Sequence, residues 1–298
     1  MSDPDIRTDA LTRARAVIVP SRQKRPNMPG EGSCPFCPGG LEAPEGDYEV
    51  KWFPNRWPAM DGGRCEMVLY TPEHDLAFWE LGPEGALAVV DLWAERTAAL
   101  GGRPDVEYVL VFENRGPEVG ATIPHPHGQI YAYAEVPPTP LRELTDGVLE
   151  LVDADDPLLV SERGQWRAWV PEAATWPFEL LVATTAGHES LVEEGVDRAG
   201  LAAILIDVLA RLDQFAEGPM PYMLWIHQRP SGTEGFASQA LHVHICPYYR
   251  SPGVPRFVAS AELGGGLYFN PVDPLRAAAT LREQPGDAAV ATGRAPEP

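Results

Sequence analysis

The sequence predicts an α+β fold: an antiparallel sheet with helices packed on one side, assembled from two halves of the same plan. Two observations carry that prediction. The order strand, strand, helix, strand, Gly-containing loop, His-x-His strand runs through the chain twice. In addition, 298 residues, 44% hydrophobic and 22% charged, suit one large or two medium domains whose core needs no disulfides. Identity between the halves is low, so the repeat is one of order. The expected halves are residues 16–150 and 151–283.

Residues 1–15 are polar and weakly patterned and read as a loose arm. Residues 13–29 are basic and Pro-rich, with Arg22, Lys24 and Arg25 as the only dense positive cluster. Residues 52–57 and 64–70 read as extended. A helix is expected from Pro83 to Leu100, because proline pre-sets the first turn and Gly101-Gly102 stops the last. Residues 106–112 alternate and are rich in β-formers; a Gly-rich loop then leads to His125-Pro126-His127 and a strand over 129–133. In the second half, 166–170 and 179–183 read as strands, followed by His188 and an amphipathic helix over 197–215 that stops before Gly218-Pro219. A strand over 222–227 and another carrying His242-Val243-His244 complete the repeat. Residues 284–298, rich in Ala, Gly and Pro, are expected to be a disordered tail.

Composition excludes several functions. Lys plus Arg is 23 and Asp plus Glu is 43, a formal charge of −20, which repels nucleic acid and anionic membrane. A small phosphorylated ligand needs only a few local donors and stays open. The longest apolar run, 201–212, is interrupted by Asp207 and Arg211 and falls short of a membrane span. Asp3, Asp5 and Asp9 do not fit a basic-then-apolar signal segment, so a cytoplasmic protein is expected.

The chemistry is concentrated in cysteine and histidine. Cys34-Pro35-Phe36-Cys37 has zinc-knuckle spacing, and Cys37 runs into Pro38-Gly39-Gly40, a turn rather than the helix a redox Cys-x-x-Cys would start. Two more ligands must come from elsewhere, and His74 and His125 are the best-placed candidates; the alternative is a pair of unliganded thiols. Four of the seven histidines form two His-x-His pairs, and on a strand i and i+2 face one side, so each pair could aim two imidazoles at one place. With His125 assigned to metal, His127 becomes the candidate for chemistry: an imidazole whose other nitrogen is held by an acceptor is a good nucleophile toward phosphorus. Asn114, Gly116 and residues 120–122 offer donors for an anion, and Gln129 lies on the same face. A polar loop packed on a sheet is the plainer alternative.

Phe112-Glu113-Asn114-Arg115-Gly116 and Pro124-His125-Pro126-His127-Gly128-Gln129-Ile130 closely resemble the signature of galactose-1-phosphate uridylyltransferases, the transferase branch of the histidine-triad superfamily. The similarity runs from about Arg22 to Arg282. It implies two histidine-triad-like halves forming a half-barrel, a homodimer, and zinc on Cys34, Cys37, His74 and His125. It further implies that His127 takes the nucleotidyl group while Gln129 holds its phosphate, and that Arg22, Arg25, Asn55, Asn114, Gly120 and Thr122 contact nucleotide and phosphates. Glu143, His227, His242 and His244 match a second metal site, for zinc or iron, that some members have. The implied reaction is a double displacement: His127 attacks the α-phosphate of a nucleotide sugar such as UDP-glucose, and a sugar 1-phosphate then takes the nucleotidyl group. Related hydrolases carry an ionisable third histidine where Gln129 stands; an amide cannot trade protons, so water attack gets less help.

The acceptor segment departs from the family pattern. Arg256, Phe257 and Glu262 fall at acceptor-binding positions, but Ala261 and Tyr268 replace the usual tyrosine and glutamine. Two alternatives therefore accompany the transferase reading: a nucleotide-sugar or dinucleoside phosphorylase using inorganic phosphate, and a zinc-stabilised nucleotide-binding protein without catalysis.

Overall fold

The computed structural model describes residues 5–24, 34–43, 48–232, 236 and 239–286. Arg25 and residues 287–298 of the expected tail lie outside them.

Strands β1 (Ile6–Thr8) and β2 (Arg15–Val17) pair with each other, with Ile6 opposite Val17. The expected loose arm is therefore a hairpin, turned by Asp9, whose carboxylate accepts from the amides of Leu11 and Thr12. The main sheet takes β3 (Lys51–Pro54), β4 (Cys65–Leu69), β5 (Tyr108–Arg115), β6 (His127–Tyr133), β7 (Leu159–Arg163), β8 (Trp166–Trp169), β9 (Leu180–Thr184), β10 (Tyr222–His227) and β11 (His242–Pro247). Their order across the sheet is β3-β4-β6-β5-β10-β11-β9-β8-β7, all antiparallel. The repeat anticipated from element order is thus an approximate two-fold about the β5–β10 pair, which exchanges β6 with β11 and β4 with β9. The sequence pattern does not reveal β7, which pairs with β8 and shifts register near Ser161. A small ribbon, β12 (Tyr249–Ser251) with β13 (Val254–Pro255), follows the sheet.

Alternation along the strands gives the sheet two different faces. Val109, Val111, Ile130, Ala132, Leu224, Ile226, Val243 and Ile245 point into one core. Against it lie α1 (Gly82–Gly101) and α3 (Arg198–Ala216), which contact each other, and α5 (Pro274–Glu283), which packs on α3 and β7. Helix α1 buries Ala86, Val89, Val90 and Trp93, the i, i+3, i+4, i+7 set of an amphipathic helix. Helix α3 starts where Asp197 accepts from the Gly200 amide, and ends at Glu217 in the left-handed conformation. The short helix α4 (Ser260–Gly265) lies in the acceptor segment.

The opposite face carries His127, Gln129, Asn114, Trp225, His227, His242 and His244. It is partly covered by α2 (Pro138–Asp146), whose Leu144 packs with Tyr108 and Val136. The main helices thus lie on one side as expected, while this one short helix sits across the sheet and brings Glu143 to the histidine face.

Candidate active site and two metal-binding clusters

His127 opens β6, opposite Leu69 of β4. Its Nδ1–H donates to the carbonyl of His125 at 2.7 Å, which leaves the lone pair of the neutral ring on Nε2. The ring lines a cleft together with Asn114, Gly116, Ala121, Ile123 and Pro124. Gly116 and Gly120 both have positive φ, 96° and 87°, so the loop between β5 and β6 turns in a conformation that favours glycine. A side chain on Gly116 would also meet Pro221 at 2.8 Å. Gly120 and Thr122 flank Ala121 at the cleft edge. Gln129, two residues along the same face, accepts from Asn55 Nδ2 at 3.3 Å, so these two candidate phosphate donors meet. Arg22 lies in a short 3-10 helix, Pro20–Lys24, half-buried and close enough to bias the thiol of Cys65 electrostatically.

The first His-x-His pair does not aim both rings at one place. His125 lies before the strand begins, so the period-two rule does not apply to it. Its ring turns away to Cys34, Cys37 and His74, and the four donor atoms lie within 4.8 Å of one another. Cys37 Sγ is 3.3 Å from His74 Nδ1 and 3.7 Å from His125 Nδ1. A tetrahedral zinc site spaces such atoms by roughly 3.3–3.8 Å. His125 Nε2–H donates to the Thr71 carbonyl at 2.8 Å, which fixes the tautomer that leaves Nδ1 as a ligand. Burial lowers the His125 pKa, keeping the ring neutral as a ligand must be, whereas desolvation and then Cys34 push the Cys37 thiol up, an effect a bound cation reverses. Phe36, from the turn between the cysteines, stands edge-on to His127 at 5.1 Å and to His125 at 6.4 Å. The cysteine turn therefore buttresses the candidate nucleophile directly, a role that its place inside Cys-x-x-Cys could have suggested.

The second pair does converge. His242 and His244 on β11, His227 on β10 and Glu143 on α2 form a second four-donor cluster. His227 Nδ1 donates to Glu143 Oε2 at 2.5 Å, while His242 Nε2 and His244 Nε2 lie 3.3 and 3.6 Å from the same carboxylate. Burial alone would raise the Glu143 pKa, but the hydrogen bond from His227 and the imidazoles around the carboxylate hold it well below the usual carboxylate range. Burial and then the nearby His242 and His227 bring His244 down to about 3. Two features ask for a cation. His244 Nε2 is buried without a hydrogen-bond partner. His242 Nδ1–H donates to the Ala240 carbonyl at 2.7 Å, so its Nε2 lone pair faces carboxylate oxygen.

That bond repeats the His127 bond to His125. Both histidines also open their strands, and from that match the register extends the correspondence. Phe112 stands opposite Gln129, Trp225 opposite His244, and Phe112 opposite Trp225 across the centre of the sheet. The two-fold therefore exchanges Phe112 with Trp225, Asn114 with His227, His127 with His242 and Gln129 with His244. The sequence repeat matches His125-Pro126-His127 to His242-Val243-His244; the structural match is offset by two residues. The second cluster occupies the positions of the first half's candidate nucleophile and phosphate donors.

The acceptor segment differs from expectation. Arg256 is buried, donates to Glu262 at 2.5 Å and to the Thr175 carbonyl at 3.3 Å, and lies over the Trp176 ring. Glu262 also accepts from the amides of Ala259 and Phe269. Neither side chain is presented to a ligand here: a guanidinium neutralised by a buried carboxylate is a brace for the segment rather than an open phosphate donor. Phe257, by contrast, is 74% exposed.

The geometry can be set beside known proteins. Residues 55–137 match the family model described as galactose-1-phosphate uridyl transferase, N-terminal domain, and 141–267 match the C-terminal domain of the same family. A galactose-1-phosphate uridylyltransferase of Streptomyces lividans is 37% identical over 94% of this chain and 86% of that protein. An ADP-glucose phosphorylase of Arabidopsis thaliana is 26% identical, covering 94% of this chain and 93% of its own. A solved structure of a uridylyltransferase, 28% identical, superposes with a TM-score of 0.81 over 98% of this chain and 99% of that one.

Proposed function

The chain belongs to the galactose-1-phosphate uridylyltransferase family, and from that premise we propose how its own residues carry the reaction. It is a nucleotidyltransferase that moves UMP from a nucleotide sugar to a hexose 1-phosphate. The observation that carries the residue assignment is the His127 tautomer. With Nδ1–H held on the His125 carbonyl, Nε2 attacks the α-phosphorus of UDP-glucose. The bond from that phosphorus to the bridging oxygen breaks and glucose 1-phosphate leaves with the electron pair. A phosphate oxygen of the incoming hexose 1-phosphate then attacks the uridylyl-imidazole, and the pair returns to Nε2. Gln129, supported by Asn55, and Asn114 donate to the phosphoryl oxygens as charge builds on them. The amide of Gln129 cannot take a proton from water, so the intermediate outlives the exchange of products.

Cys34, Cys37, His74 and His125 hold zinc in this reading, a structural ion with four protein ligands that stiffens the Phe36 turn behind His127. Glu143, His227, His242 and His244 hold a second ion, zinc or iron. Homodimerisation is supported by the acceptor segment, where Phe257, Leu263, Leu267 and Phe269 are 74%, 76%, 69% and 63% exposed. No helix among the described residues is long and apolar enough to cross a membrane, and all four cysteines are free, as a reducing cytoplasm requires.

One observation favours a second reading. The acceptor segment carries Ala261 and Tyr268 where the family has a tyrosine and a glutamine, and one relative over 94% of this chain is an ADP-glucose phosphorylase, so inorganic phosphate is the alternative acceptor. The test is turnover of UDP-glucose with galactose 1-phosphate or with inorganic phosphate. The transferase predicts UDP-galactose with the first and no UDP with the second; the reverse pattern establishes the phosphorylase.

A further inference from the structure

Beneath His127, on the core side of the sheet, lies a polar cluster that the transfer chemistry does not use. Glu113, between Phe112 and Asn114 on β5, is buried, and Tyr222 of β10 donates to its Oε1 at 2.6 Å. Tyr70, immediately after β4, brings a second hydroxyl near the same carboxyl, close enough to act on it electrostatically. The two do not close a hydrogen bond: Tyr70 Oη and Glu113 Oε2 are both buried without a hydrogen-bond partner. Arg115 lies over the Tyr222 ring and donates to Asp213 of α3 at 2.6 Å; Asp213 in turn accepts from Trp79 Nε1.

Tyr70 grips the catalytic strand on both sides of His127. Its amide donates to the Pro126 carbonyl at 3.2 Å, and its hydroxyl fills the space that a side chain on Gly128 would need, 2.2 Å from that Cβ position. Glu113 adjoins Asn114 on the neighbouring strand. The cluster therefore packs between the backbone of the candidate nucleophile and the backbone of a candidate phosphate donor.

The duplicated half supplies the control. The two-fold that exchanges His127 with His242 exchanges Glu113 with Ile226, Gly128 with Val243 and Tyr70 with Thr184. The second half fills these places with two apolar side chains and a threonine, all buried. A buried carboxyl with incompletely partnered tyrosines is a costly way to fill a core, and the same chain shows an apolar alternative at the matching positions. The polar cluster occurs under the half that carries the candidate nucleophile.

We propose that Tyr70, Glu113 and Tyr222 are positioning residues, a polar brace under β5 and β6 that sets His127 Nε2 against Asn114 for phosphoryl attack. The proposal rests on the transfer reading for its effect on rate, but not for its effect on the strand.

Two readouts on the full-length chain separate these. Hydrogen–deuterium exchange of the β6 peptide is compared with that of the β11 peptide in wild type, Tyr70→Phe and Glu113→Gln. The brace predicts exchange at least tenfold faster in β6 with β11 unchanged; general loosening would raise both, and either that or no change in β6 overturns the proposal. Single-turnover uridylylation by UDP-glucose then reads the chemistry. The expected result is adduct formation slowed at least tenfold, UDP-glucose affinity held within about twofold, and a double variant no slower than the worse single one. Unaltered adduct rates would overturn the positioning role even if β6 loosens. Gly128→Ala should behave like the brace variants, and adding Tyr70→Phe should slow it no further; an additive loss would count against the Tyr70–Gly128 contact. A wild-type protein that forms no adduct would defeat the transfer reading, and the brace would then stand or fall on β6 exchange.

Discussion

The two histidine clusters sit at matching positions in a duplicated sheet and have opposite characters. In the first half the strand-opening histidine faces a cleft, with amide side chains beside it at Asn114 and Gln129. In the second half the same histidine, with the same 2.7 Å bond from Nδ1 to the carbonyl two residues back, is enclosed by His227, His244 and Glu143. The backbone and the tautomer are shared. What differs is two side chains per site and a short helix, α2, that brings a carboxylate over one of them. Neutral amides beside the first histidine suit attack on phosphorus; two imidazoles in the corresponding places, with the α2 carboxylate over them, suit a cation.

His127→Ala is the sharpest break in this comparison. It should lower transfer by at least about 10⁴-fold with little change in melting temperature, while His242→Ala should lower stability and leave the nucleophile in place. Removing the ions tests the other half of the contrast. Cys34→Ser should lower the melting temperature by about 10 °C or more and slow transfer through the Phe36 turn, because structural metal binding is coupled to folding. Glu143→Gln should cost metal at the second cluster alone, read as one equivalent lost by metal analysis, with transfer within about threefold of wild type.

Gln129→His converts the first site toward the second. An ionisable group beside the uridylyl-imidazole should shorten its lifetime in water by roughly 10²-fold, measured by chasing the adduct without acceptor. The smallest expected effect concerns pH. Burial raises the Glu113 pKa from 4.5 to about 7, with the Tyr222 and Tyr70 hydroxyls and Arg115 opposing; Asp213 of α3 is the nearby acid, held by Arg115. The folded protein then binds this proton more tightly than the unfolded chain does. Stability should therefore fall as pH rises from about 4.5 to about 7, by up to about 3 kcal/mol. Glu113→Gln should remove that slope in denaturation curves taken across the window.

Much of this architecture is legible in the sequence alone. Element order reveals the duplication, and cysteine spacing with His-x-His spacing locates both sets of donors. Strand alternation works for His242 and His244 because both lie within β11; it fails for His125, which precedes β6 and so is not bound by period two. The offset between the two histidine motifs is a matter of register, and register depends on pairing partners far away in the chain. Helix α2 has two prolines among its first three residues and only nine residues in all, too short a pattern to stand out. Arg256 reads as a phosphate donor because its charge is visible in the sequence, whereas its burial against Glu262, six residues on, is not. The brace is hidden for the same reason: Tyr70, Glu113 and Tyr222 meet only when β4, β5 and β10 assemble.

The central claim is that His127, and not its structural twin His242, takes the nucleotide. Intact-protein mass spectrometry after brief incubation with UDP-glucose, followed by peptide mapping, tests it directly. The account predicts a mass gain of one UMP, mapped to His127 and absent from His127→Ala. A uridylyl group on His242, or a gain that survives in His127→Ala, would contradict it.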